Sequence, residues 1–133
     1  MKNKLVALLV TAGLLASGAA AYAHHSFGST YIVEKQVTLE GSVIQISYRS
    51  PHSFFFIEVP DENGQTQKWS IEGAAPGQLA QAGVARDTFK VGDHVIVIAN
   101  PSRSADSYRG RMIKITRPSD GKTWGGRAGE VVD

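Results

Sequence analysis

The residues with the most specific chemistry are three of the chain's four histidines, His24, His25 and His52. His24 and His25 directly follow Ala21-Tyr22-Ala23. A cut after Ala23 would make His24 the first residue, and its α-amine and Nδ1 could then close a chelate ring on one metal ion. The amine has a pKa of roughly 8, so the metal must compete with its proton. Cu(II), strongest of the divalent series, does this best. His25 offers a rival mode through its own imidazole and amide nitrogen. His52 follows Pro51 at an expected strand start, where an imidazole aimed toward the chain start would add a further nitrogen. The plain alternatives are adventitious binding by two terminal histidines and a His52 that only caps a loop.

The remaining ligand supply narrows the metal. There are no cysteines, which removes thiolate sites, Cys nucleophiles and disulfides. Met112 is the only methionine besides Met1, so a thioether-rich Cu(I) site is not on offer. Copper as Cu(II), or zinc, is the expected ion. His94 shares parity with Ile96 and Ile98 and reads as a partly buried strand residue.

A second constellation is aromatic. Phe54 and Phe56 fall opposite the core parity of their strand, with Tyr48 and Arg49 close in sequence. Arg103, Arg109 and Arg111 could rim the same surface. Such a face could take a glycan, a peptide or a protein partner by stacking, unless both faces of the strand are buried. Catalytic signatures are thin: no nucleophile elbow, phosphate loop or paired-carboxylate motif, and Asp61-Glu62-Asn63 lacks the spacing of a calcium loop. Glu34, Glu40, Glu58 and Glu72 read as solvated strand positions. The chain therefore reads as a binder rather than an enzyme. A copper-dependent enzyme stands last, because a small barrel leaves little room for a substrate groove.

Residues 1–23 have the order of a secretory signal peptide: Lys2 and Lys4, an apolar run over 5–15, then small residues ending in Ala-Tyr-Ala. The run is shorter than the roughly 20 residues that span a bilayer. The expectation is cleavage after Ala23, a periplasmic or secreted protein, and no membrane contact after cleavage. The whole chain has 14 Lys and Arg against 12 Asp and Glu. The leader holds two lysines and no acid, so the rest is balanced and offers no footprint for nucleic acid.

Residues 24–133 are enough for one domain. A strand is expected over 37–48, with a parity switch at Val43-Ile44, just after Gly41, that signals a β-bulge. Strands over 52–59 and 67–71 flank the turn at 60–64 and form a hairpin. Pro76 suits a first helical position and Gly83 a residue just past the helix end. Strands over 94–99 and 110–116 follow, with Ile113 and Ile115 on the inner face of the second. The turn at 118–121 leads the chain out, and the tail frays from about 125. A further short strand is a candidate at 31–33. Three strands, a short helix and two strands make an all-β fold, a five-stranded OB-type barrel, with a small open β-sandwich as the alternative.

His24-His25-Ser26-Phe27, the run 37–43, Ser50-Pro51-His52, Asp61-Glu62-Asn63-Gly64, the run 83–89, Val91-Gly92-Asp93 and Asp120-Gly121-Lys122 together resemble a family of small exported bacterial proteins of unknown function. The resemblance spans nearly all of 24–133. It implies export and an OB-like domain, and it assigns no activity. The His24 terminus looks like the N-terminal histidine brace of periplasmic copper carriers and copper monooxygenases.

Overall fold

The computed structural model describes residues 1, 4 and 27–126. His24, His25, most of the expected leader and the tail beyond Gly126 lie outside the described residues. After a helical turn at 27–30 come β1 (Val37–Ser47), β2 (Phe54–Pro60), β3 (Thr66–Glu72), α1 (Pro76–Gln81), β4 (His94–Pro101), β5 (Arg109–Arg117) and β6 (Lys122–Gly125). The sheet order is β3-β2-β1-β4-β5-β6. β3 also pairs with β5, in parallel. That pairing joins the ends of the run from β3 to β5 and closes a five-stranded barrel of OB type; an open sandwich would leave both strands as edges.

β1 makes the closure feasible by serving two neighbours. Its 42–47 part pairs with β2 and its 37–42 part with β4. The register against β2 slips between Val43 and Gln45, where the apolar parity changes in the sequence. Gly41 is buried at this crossing. A Cβ there would lie 2.0 Å from the Glu58 carbonyl oxygen, so only glycine lets the two backbones approach this closely.

β2 and β3 form the expected hairpin. Asp61 Oδ1 accepts the N–H groups of Asn63 and Gln65, each at 2.8 Å, and Gly64 takes φ +74°. α1 begins with Pro76 and ends as the sequence indicates. Gly83 has φ +79°, its N–H reaches the Ala80 carbonyl at 3.0 Å, and the Val84 N–H reaches the Leu79 carbonyl at 2.8 Å. This is a Schellman ending, and it buries Leu79 and Val84 in the barrel core.

Val43, Phe55, Ile57, Ile71, Val95, Val97 and Ile115 are buried as expected, and Ile46 and Trp69 pack partly buried against them. Ile113 is a correction. The β4–β5 register slips between Ile98 and Ala99, which sets Ala99 opposite Met112. Ile113 is left half-buried, and Met112 takes the inner position. His94 is a second correction. Val95, Val97 and Ala99 hold the inner parity, so His94 is exposed, with Nε2 2.8 Å from Glu40 Oε1. β6 was not expected. The turn at 118–121, with Gly121 at φ +73°, returns the chain along β5 and buries Trp124. Four residues with one buried side chain show no alternation to read. The candidate strand at 31–33 is a single bridge, Tyr31 to Ser102. Among the described residues no helix is long and apolar enough to cross a membrane.

Candidate functional site

The β2–β3 ladder continues past the ends of both strands. The Ser53 N–H donates to the Ala74 carbonyl at 3.1 Å, and the Gly73 N–H donates to the Ser53 carbonyl at 2.8 Å. Phe54 is the register partner of Glu72. His52, two residues before Phe54, therefore falls on the same outer side of the barrel. Its Nδ1 lies 2.5 Å from Glu72 Oε1, with 32% of the His52 side chain and 13% of the Glu72 side chain exposed. Glu72 is thus not the solvated strand residue that the sequence suggests.

The second Glu72 oxygen, Oε2, accepts a hydrogen bond from the Tyr31 hydroxyl. Tyr31 is almost completely buried. Burial first, and then the carboxylate beside it, pushes its hydroxyl pKa well above the ordinary tyrosine value. An ionised carboxylate only accepts hydrogen bonds. With Nδ1 turned to Glu72, Nε2 is the ring nitrogen left to meet an outside partner. A carboxylate behind the far nitrogen is the usual way that a ligating imidazole is oriented and made more basic.

The lead-in before β1 is tied down along its length. The Ile32 N–H donates to the Pro101 carbonyl and the Arg103 N–H to the Thr30 carbonyl, both at 2.9 Å. Arg103 Nε donates to the Gly28 carbonyl at 2.5 Å. Asn100 Nδ2 reaches the Val33 and Lys35 carbonyls at 3.1 and 2.8 Å. These bonds fix Tyr31 and bring Phe27 onto His52, ring centroids 5.3 Å apart. The Arg111 guanidinium carbon sits 4.1 Å from the Phe27 centroid, and Arg111 is the β5 partner of Glu72. Between Phe27, His52, Arg111 and Met112, with Gly73 and Ala74 in its wall, is a cavity of about 10 Å³. That is room for one water or one ion, and too little for an organic ligand. Among the described residues there is no group of three or more His, Cys, Asp or Glu side chains placed to hold a metal.

Of the candidate metal ligands named from the sequence, His52 is the one this cluster contains, and Arg111, expected at the rim of the aromatic face, lies over Phe27 here instead. Glu72 and Tyr31 were missed. The signal for Glu72 was its place at the end of β3, which hairpin pairing sets opposite Phe54. Tyr31 gave no signal beyond a buried aromatic in a short apolar run. Phe54 and Phe56 form a separate surface. They are half-buried on the outer face, stacked with centroids 6.5 Å apart. Arg49 lies 4.8 Å from the Phe54 centroid and Lys68 5.4 Å from that of Phe56. Tyr48 does not join them. Its ring meets core Phe55 edge-on at 6.0 Å, and Arg86 lies over it. Arg103 serves the lead-in rather than this face.

Strand order, the parallel β3–β5 closure and the helix between β3 and β4 place the protein in the class of OB-type barrels. The chain belongs to a family of unknown function, DUF6152, whose model matches residues 11–110. Among solved structures it is similar to the mitochondrial single-stranded DNA binding protein Rim1 of S. cerevisiae, at 17% identity over 62% of this chain and 91% of that one, TM-score 0.46. A search of curated proteins finds no significant match.

Proposed function

We propose that the protein is an exported binding protein that holds one Cu(II) or Zn(II) ion between its processed N-terminus and His52. The supporting observation is the Phe27–His52 contact, together with the Glu72 carboxylate behind Nδ1 of the same ring. Three residues of chain span at most about 10 Å, so a terminus at His24 stays within reach of His52. The His24 amine and Nδ1 would form the chelate, His52 Nε2 would add a third nitrogen, and His25 would be the alternative donor. Glu72 and Tyr31 position His52. The single-ion size of the adjoining cavity fits this reading better than an organic ligand there.

The test compares Cu(II) affinity in the exported chain, in a chain with one extra residue before His24, and in His52→Ala. The extension blocks the amine–imidazole ring and leaves the fold untouched. Loss of binding in the extended chain, with a smaller loss in His52→Ala, is the expected result. Equal binding by the extended chain overturns the brace.

A second reading rests on the stacked Phe54 and Phe56 with Arg49 and Lys68 above them. That surface is suited to a glycan, a peptide or a partner protein, with the histidines incidental. It leads if none of the three chains binds copper better than a generic two-histidine peptide.

A further inference from the structure

The wall of the cavity beside His52 contains one soft donor. Met112 occupies the inner position of β5 that the register slip opposite Ile98-Ala99 creates, and the sequence parity had reserved that position for Ile113. Met112 lines the same cavity as His52. Gly73 belongs to the same wall. A Cβ built on Gly73 would fall 3.6 Å from Phe55 Cε2 and 3.8 Å from both Met112 Sδ and Cε, so the thioether packs beside Phe55 against this bare backbone.

We propose that Met112 supplies a thioether ligand to the ion at His52. The site would then be selective for copper over zinc and competent to hold Cu(I). This rests on the reading of His52 as a metal ligand and adds the metal's identity to it. A thioether is soft and favours copper, above all Cu(I), whereas Zn(II) gains little from it beyond the nitrogens. Imidazole from His52 on one side and sulfur from Met112 on the other give a mixed set around a space the size of one ion. The ordinary role of a buried methionine is to fill an irregular gap, and the following experiment separates the two.

The sequence makes the test sharp. The chain has no cysteine and two methionines, and Met1 belongs to the expected leader. Any sulfur bound to copper in the exported chain therefore comes from Met112. Copper K-edge X-ray absorption on the exported, Cu(I)-loaded protein should show a sulfur scatterer at about 2.3 Å. Selenomethionine labelling should replace it with selenium. Met112→Leu, close in volume, should lower Cu(I) affinity by about tenfold or more and leave Zn(II) affinity nearly unchanged. The absorption measurement needs no variant, so a Met112→Leu chain that fails to fold does not weaken it. Copper bound with nitrogen and oxygen scatterers alone overturns the role of Met112 and leaves the histidine reading standing. A protein that binds no copper overturns both.

Discussion

Replacing Glu72 with alanine removes the group that both Tyr31 and His52 contact. The Tyr31 hydroxyl is buried, with Glu72 as its acceptor. An orphaned buried donor costs about 1–3 kcal/mol, and the lost His52 contact adds about 1 kcal/mol. The expected destabilisation is about 2–4 kcal/mol, or a fall in Tm of roughly 10–20 °C for a domain of this size. Thermal unfolding followed by circular dichroism measures it. A second variant is more selective. Tyr31→Phe on the Glu72→Ala background removes the orphaned hydroxyl, so the double variant should melt above the single one. Set against the effect of Tyr31→Phe alone, that rise gives the pair energy, because the two residues touch and their effects are not additive. Copper affinity of Glu72→Ala should also fall, since His52 loses its orientation. A Glu72→Ala chain that melts with the wild type, or a double variant no better than the single, refutes the account of this cluster.

Three further outcomes follow from the same structure. Intact-mass measurement of the protein purified from cells expressing the full sequence should give a chain starting at His24, and a start at Ser26 or later removes the terminal chelate. Gly41→Ala should destabilise by about 1–3 kcal/mol or more in chemical denaturation, because the new methyl meets the Glu58 carbonyl and β1 and β2 must part; unchanged stability would contradict the close crossing. Acid unfolding should be steep between about pH 4 and pH 2. Arg117 holds Asp120 at about 2, chiefly through its hydrogen bonds. For Asp93, part burial works upward, but bonds from Arg117 and the Lys90 N–H outweigh it and leave that carboxyl below its usual range. Folded-state values below the unfolded value of roughly 3.9 contribute stability that is present above that pH and lost as pH falls through the folded values. Arg117→Gln should flatten the slope in that window, and an unchanged slope would refute the linkage.

The barrel was legible in the sequence wherever periodicity and punctuation agreed. The parity switch at Val43-Ile44 marks the bulge that lets β1 bend between two partners. Pro76 and Gly83 bracket α1, and the Asp61–Gly64 turn fixes the hairpin. The sequence failed where long-range register decided the outcome. Ile113 and Met112 are neighbours of equal apolar quality, and only the slip against β4 chooses between them. His94 alternates with Ile96 and Ile98, but that parity faces outward because Val95 and Val97 fill the interior. β6 is too short to show a period. At the candidate site, His52 stood out because Pro51 and its residue type single it out locally. Glu72 lies 20 positions further along the chain and Tyr31 lies 41 positions before Glu72, the separation its hydrogen bond spans. Neither has a local pattern that distinguishes it from a solvated carboxylate or a core aromatic. The cluster exists because β3 ends beside His52 and the lead-in is strapped across β4 and β5. Both are consequences of closure rather than of sequence neighbourhood.

The most direct test is a crystal structure of the chain starting at His24, grown with Cu(II), with the metal located by anomalous scattering at the copper edge. One ordered copper is expected beside Phe27, with the His24 amine, its Nδ1 and His52 Nε2 each at about 2.0 Å, and with Glu72 still hydrogen-bonded to His52 Nδ1. Copper at the exposed His94–Glu40 pair instead, or none near His52, would contradict the proposed site.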